Sequence, residues 1–225
     1  MLEQASIIRE KRRSIKITIS NDGKLIVYCP FGLSYEKIDE VLRSKENLLR
    51  KRMTKTKDLS VQYTNILENK TVLLFGKEYE IFVTNKVKKP CFTDEKFLIT
   101  QKIFEGNKTS FYIKKVEKEI AERVFVKRIR DILQNYDYKV SKIIIGNFKS
   151  KWGSCDNFNT IKLNWRLAML PPKLVDFVIF HELTHLLELN HSKRFYYELD
   201  KVCPTWKESR EKLRDLNFLL SLYNN

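Results

Sequence analysis

Histidine is nearly absent from this sequence: of 225 residues only three are histidine, at positions 181, 185 and 191. Any metal bound through imidazole nitrogen must use that one segment. Cysteine is also sparse. Cys29, Cys91, Cys155 and Cys203 are widely separated and form no C-x-x-C pair. That disfavours both a cysteine zinc site and a disulfide scaffold, and suits free thiols in a reducing cytoplasm. Methionine occurs only at Met1, Met53 and Met169, so none follows the histidines. No stretch approaches the ~18 apolar residues needed to span a bilayer. The opening residues are broken by Glu3, Arg9, Glu10, Lys11 and Arg12, which leaves no apolar core for a secretion signal. A cytoplasmic protein without a membrane partner is expected. Acid is in deficit, 28 Asp+Glu against 43 Lys+Arg, for a net charge of +15. Such a field attracts nucleic acid or nucleotides. Solvated lysine-rich helix faces account for it too, and no helix-turn-helix, zinc-finger or RRM signature accompanies it.

What is present is concentrated. His181-Glu182-Leu183-Thr184-His185 reads H-E-x-x-H, a strong zinc signature. On an α-helix, residues four apart share a face, with Cβ atoms roughly 6 Å apart. Two imidazoles can then close on one Zn²⁺ at about 2.0–2.1 Å each. Glu182, one residue on, leans toward a metal-bound water as general base. Catalytic zinc usually takes three protein ligands, and His191 is the candidate third. Simple continuation of the helix would carry it about 600° past His185, so the helix must break first, with Asn190 as the expected left-handed terminator. Ser192 can then cap a following helix through Phe195, Tyr196 and Leu199. The His185-to-His191 spacing equals that of metzincins, but Glu188 stands at their turn glycine and no methionine follows for a Met-turn.

Upstream lie Lys149-Ser150-Lys151-Trp152-Gly153-Ser154-Cys155, Ile161-Lys162-Leu163-Asn164-Trp165-Arg166-Leu167 and Leu170-Pro171-Pro172. With the zinc motif, His191-Ser192 and Phe195, this order resembles the YgjP-like metallopeptidase family, related to the WLM and SprT-like proteases. The match is close over about the C-terminal third. The N-terminal part also looks like the family: a basic opening strand pair, a turn at Asp22-Gly23, and Pro30 before a charged helix. Tyr196 stands where many relatives carry Trp. The resemblance implies a minimal, gluzincin-like zincin fold with three histidine ligands and a glutamate base. The peptidase label that comes with it rests on motif analogy.

Along the chain, Ile15–Ser20 and Leu25–Cys29 flank Asn21-Asp22-Gly23 as a β-hairpin. Ser34 opens a helix with Ile38, Val41, Leu42, Leu48 and Leu49 on its apolar side. Val72–Phe75 and Tyr79–Val83 flank Gly76-Lys77 as a second hairpin, and Phe97–Thr100 adds a strand. The helix expected over Tyr112–Tyr136 uses Val116, Ile120, Val124, Ile129, Ile132 and Leu133 as core positions. Val140–Phe148 pairs with Ile161–Trp165, Lys173–Leu189 is the zinc helix, and Thr205–Leu220 closes the chain. The expected class is α+β: residues 1–108 form a β-rich accessory region and residues 109–225 a zincin-like domain, divided softly near Gly106-Asn107.

The expected function is a zinc-dependent metallohydrolase, most simply a metallopeptidase acting on a peptide or protein. Thr160–Trp165 is the expected edge for an extended substrate. Arg194, Tyr196 and Tyr197 are candidates to stabilise an oxyanion, with Asn164, Arg194 and Tyr196 as substrate-binding residues. Glu188 and Glu198 are candidates to support a ligand histidine. Three alternatives stay open: a metal-dependent nucleotide phosphohydrolase, a nucleic-acid-associated protease module, and a structural zinc site. The last would need a fourth ligand, and none is well placed.

Overall fold

The computed structural model describes residues 5–20, 22–68, 71–106 and 108–221. The chain forms two compact units, Met1–Asn65 with Asp215–Phe218, and Ile66–Arg214 with Leu219–Asn225. The expected division at 108/109 remains a proposal about folding domains. The compact units part near residue 65, and Asn107 lies outside the described residues.

In the first unit, β1 (Ala5–Arg9), β2 (Lys16–Ile19) and β3 (Leu25–Cys29) form a sheet in the order β1-β3-β2. The β2–β3 pair is the expected hairpin. Its turn residue Gly23 has φ +80°, and a Cβ there would lie 2.9 Å from the Lys57 Cβ, so only glycine fits. Asn21, expected in the same turn, lies outside the described residues. Ser34 caps α1 (Tyr35–Arg43) by accepting from the Lys37 N–H. The one helix expected here is two, because α2 (Glu46–Glu68) starts anew after Ser44. Alternate residues Leu25, Val27 and Cys29 of β3 pack with Ile38 and Leu42 of α1 and Leu49 of α2. This is the period-two and i,i+4 patterning of a sheet-on-helix core.

The second unit opens with β4 (Thr71–Leu74), β5 (Lys77–Val83), β6 (Cys91–Phe92) and β7 (Lys96–Ile99), in the order β4-β5-β7-β6. The expected β4–β5 hairpin turns through Phe75 and Gly76, both left-handed. The Phe75 N–H donates to the Ala168 carbonyl (2.6 Å) and that of Gly76 to Met169 (3.2 Å). A Cβ on Gly76 would strike Pro171 Cγ at 2.8 Å. The hairpin tip therefore fixes the segment that leads into the H-E-x-x-H helix.

After α3 (Gln101–Glu105) comes α4 (Thr109–Leu133). Its buried stripe is Ile113, Glu117, Ala121, Phe125, Ile129 and Ile132. It lies one residue off the expected Val116, Ile120, Val124 line over the first turns, because a carboxylate occupies one of the core positions. Next come β8 (Lys142–Gly146), β9 (Gly153–Cys155) and β10 (Thr160–Asn164), in the order β8-β10-β9. β10 runs parallel to β8 and antiparallel to β9. The expected pairing is present, but β10 is the central strand and β9 an edge. Thr160–Trp165 therefore offers no free edge to a substrate. A 3-10 turn, Trp165–Met169, leads to α5 (Pro172–Thr184), α6 (Lys193–Val202) and α7 (Trp206–Asp215). Among the described residues there are seven α-helices and three sheets, consistent with an α+β class.

Candidate metal centre

Pro171 and Pro172 start α5, and Leu174, Phe177 and Val178 bury it. The helix ends at Thr184, five residues before the expected Leu189. The Thr184 hydroxyl bonds back to the Phe180 carbonyl (2.7 Å), a contact that competes with helix continuation. The chain then tightens, with Leu186 N–H donating to Leu183 and Leu187 N–H to Thr184. His185 is the C-cap in a right-handed conformation, and Asn190 is not left-handed. A tight final turn, rather than an αL residue, redirects the chain. The Asn190 carbonyl accepts from the Ser192 N–H, and the Ser192 hydroxyl caps α6 by accepting from the Phe195 N–H.

That turn brings His181, His185 and His191 together. One ring nitrogen from each lies within 4.8 Å of the others. The Nε2 atoms of His181 and His191 are 3.0 Å apart. Two nitrogens bound to one tetrahedral zinc stand about 3.3 Å apart at ordinary bond lengths, so the donor set fits such an ion. His185 Nδ1 is 3.1 Å from the Glu188 carbonyl. A carbonyl only accepts, so Nδ1 carries the proton and Nε2 keeps its lone pair free. Glu188 thus supports a histidine through its backbone rather than its carboxylate, and Glu198 pairs instead with Lys201 (2.8 Å). Phe195, fully buried, backs all three imidazoles, with ring centroids at 5.0, 4.6 and 4.8 Å. Burial, then the charges of His185, His191 and Arg210, pull His181 down to about 3. Burial likewise lowers His191. Neutral imidazoles are the ligand-competent form.

Glu182 is only 5% exposed. Burial pushes its carboxyl up to about 8, against the charge of Lys151 and a bond from the Cys155 N–H. It lies directly against β9: a Cβ on Gly153 would meet Glu182 Oε1 at 2.7 Å and Cγ at 2.8 Å. Only a glycine strand position admits the carboxylate here. A pocket of about 200 Å³ adjoins it, lined by Trp152, Phe177, Val178, His181, Arg210 and Leu213 among others.

The other expected site residues divide. Asn164 is fully buried and its amide is in use. Nδ2 donates to the carbonyls of Phe148 (2.6 Å) and Lys151 (3.0 Å), and Oδ1 accepts from the Arg166 N–H. Its hydrogen bonds hold the loop that carries Trp152 and Gly153. Arg194 and Tyr197 are exposed and are not among the pocket's lining residues. Tyr196 is near: its ring lies 6.2 Å from that of His191 and stacks on Trp206 at 4.6 Å. Arg210 stands in the pocket wall as well. It follows His191 by a whole helix and more, and no local pattern marks it. The four cysteines are free thiols, and burial raises that of Cys155 to about 11.

The family described as YgjP-like, metallopeptidase domain, matches residues 13–216. The chain belongs to that family, and membership supports a hydrolase of the metallopeptidase type. No curated protein sequence matches the chain. Among the described residues no helix is long and apolar enough to cross a membrane.

Proposed function

We propose that this protein is a zinc-dependent metallopeptidase in which His181, His185 and His191 hold the ion and Glu182 moves the proton. The carrying observation is the convergence of three imidazole nitrogens beside one desolvated carboxylate. Zinc, when bound, lowers the pKa of a coordinated water and polarises a carbonyl. Its charge would also favour the ionised form of the neighbouring Glu182. Glu182 then takes a proton from the attacking water and returns it to the leaving nitrogen. Phe195 and the Glu188 carbonyl hold the imidazole planes, and Gly153 sets where the carboxylate rests. β9 is the sheet edge beside Glu182, so an extended peptide adding to that edge would bring its backbone to the proton-transfer group. A nucleic-acid partner rests on net charge alone.

Metal content measured on wild type, His185→Ala and Glu182→Gln, beside cleavage of a quenched-fluorescence peptide mixture, tests this reading. Expected is about one zinc in wild type and Glu182→Gln, none in His185→Ala, and cleavage by wild type only. Zinc-loaded wild type that hydrolyses nucleotide phosphoesters and no peptide would move the function to a phosphohydrolase.

A further inference from the structure

Arg210 is a cation with spare donors at the mouth of the candidate site. A guanidinium carries five N–H donors. Among the described residues one hydrogen bond uses them, from Nη1 to the Tyr196 hydroxyl (3.3 Å), and no carboxylate lies within ion-pair distance. The group lies against the stacked Tyr196–Trp206 pair, 5.1 Å from the Trp206 ring centre and 5.8 Å from that of Tyr196. Trp206 is itself fixed, buried and donating its Nε1 to Asp200 (3.0 Å). A planar fork held over an aromatic platform is set up for a carboxylate.

The surroundings fit the same ligand. The pocket that Arg210 shares with His181 and Glu182 has room for about one side chain, and Trp152, Phe177, Val178 and Leu213 give it apolar walls. Glu182 is its only acidic lining residue. Lys151, which forms no ion pair among the described residues, adds positive charge that reaches Glu182. A ligand with an aliphatic stem ending in a carboxylate would bury the stem on those walls and meet the guanidinium at its tip.

We propose that Arg210 is a specificity-determining residue that binds a carboxylate of the peptide substrate, supplied by an acidic side chain or by the chain terminus. This rests on the metallopeptidase reading for what the substrate is, but it can be tested without turnover. Matched peptides differing as Glu against Gln, and as free acid against C-terminal amide, are titrated into zinc-loaded Glu182→Gln protein. Indole fluorescence reports binding, since Trp152 and Trp206 border the site. Expected is about tenfold tighter binding of one carboxylate form. That preference should be lost in Arg210→Gln, partly kept in Arg210→Lys, and kept in Arg214→Gln on the same helix. A preference within the Glu/Gln pair assigns the side chain, and one within the acid/amide pair assigns the terminus. Equal binding of both forms, a preference that survives Arg210→Gln, or no binding of any peptide overturns the proposal. Peptides that bind with the preference, yet are never cleaved by zinc-loaded wild type, overturn the peptidase reading and leave the carboxylate site standing.

Discussion

The two compact units treat polar residues in opposite ways. In the first, the core is wholly apolar among the described residues, from Leu25 to Leu49, and exposed charges form pairs such as Arg43–Asp39 and Arg50–Glu46. In the second, Glu117, Thr160, Asn164, Arg166, Glu182, Thr184 and Ser209 are all buried. Burying polar groups costs free energy unless they are partnered. In Asn164 and Thr184 the partners are backbone atoms that fix the loop and helix end around the centre. In Glu182 the charge of Lys151 and the bond from the Cys155 N–H offset only part of the cost, and burial pushes its carboxyl up to about 8. Among the described residues the first unit buries no polar side chain, whereas the second buries several, one of them the carboxylate of the candidate site.

Glu182→Gln cuts deepest into that contrast. Peptide cleavage should fall by about a thousandfold with zinc content unchanged, while the metal-free fold becomes more stable. The sign follows from a carboxyl raised from 4.5 to about 8: wild-type stability is lost as pH climbs through that window, and glutamine removes the loss. At pH 7 the gain should be roughly 1–3 kcal/mol. Thermal melts of both proteins between pH 5 and 8 measure it, and parallel curves would count against a desolvated carboxylate.

Next in size is Arg166→Met. The Arg166 guanidinium is fully buried, donates to Asn147 (2.5 Å), lies 4.6 Å from the Trp165 ring and acts on buried Glu117. Its loss should cost about 3 kcal/mol in denaturant titrations. Arg43→Ala in the first unit, which breaks an exposed pair, should cost under about 0.5 kcal/mol. Similar costs for the two would erase the distinction between the units.

Gly153→Ala probes the contact rather than the cost. The new Cβ must displace the Glu182 side chain. That chain has room to swing, so the fold should survive while cleavage drops about tenfold at unchanged zinc content. Wild-type rates would show that the carboxylate does not depend on this seat.

The smallest expected effect is one the units share. Asp22 and Asp156 each brace a tight turn, held down to about 2 mainly by hydrogen bonds from Lys24 and Lys162. Each adds stability above the usual aspartate range, and that stability is lost as pH falls from 3.8 toward 2. Acid melts of Asp22→Asn and Asp156→Asn should each show a shallower fall over that window.

The local features were readable without a fold. H-E-x-x-H put two imidazoles on one helical face because the i,i+4 relation is set by the backbone alone. Ser34 and Ser192 announced their helices because a cap acts within three residues. Gly23 and Gly76 marked hairpins that both close through left-handed glycines. Features that a distant partner decides leave no such local mark. Thr160–Asn164 has the alternation of any strand, and only the neighbours β8 and β9 make it central. Glu117 carries no local mark of burial, and only the packing of α4 places it in the core. Arg210 meets the centre only because α7 lies beside α5. From the histidine spacing alone one can read which side chains could hold a metal, and that the chain must turn back between His185 and His191 for all three to do so. The tertiary structure decided which carboxylate is desolvated, which strand edge is free and which cation faces the site. Helical spacing and caps are set by neighbouring backbone geometry, whereas burial is non-directional and is shared among residues far apart in the chain.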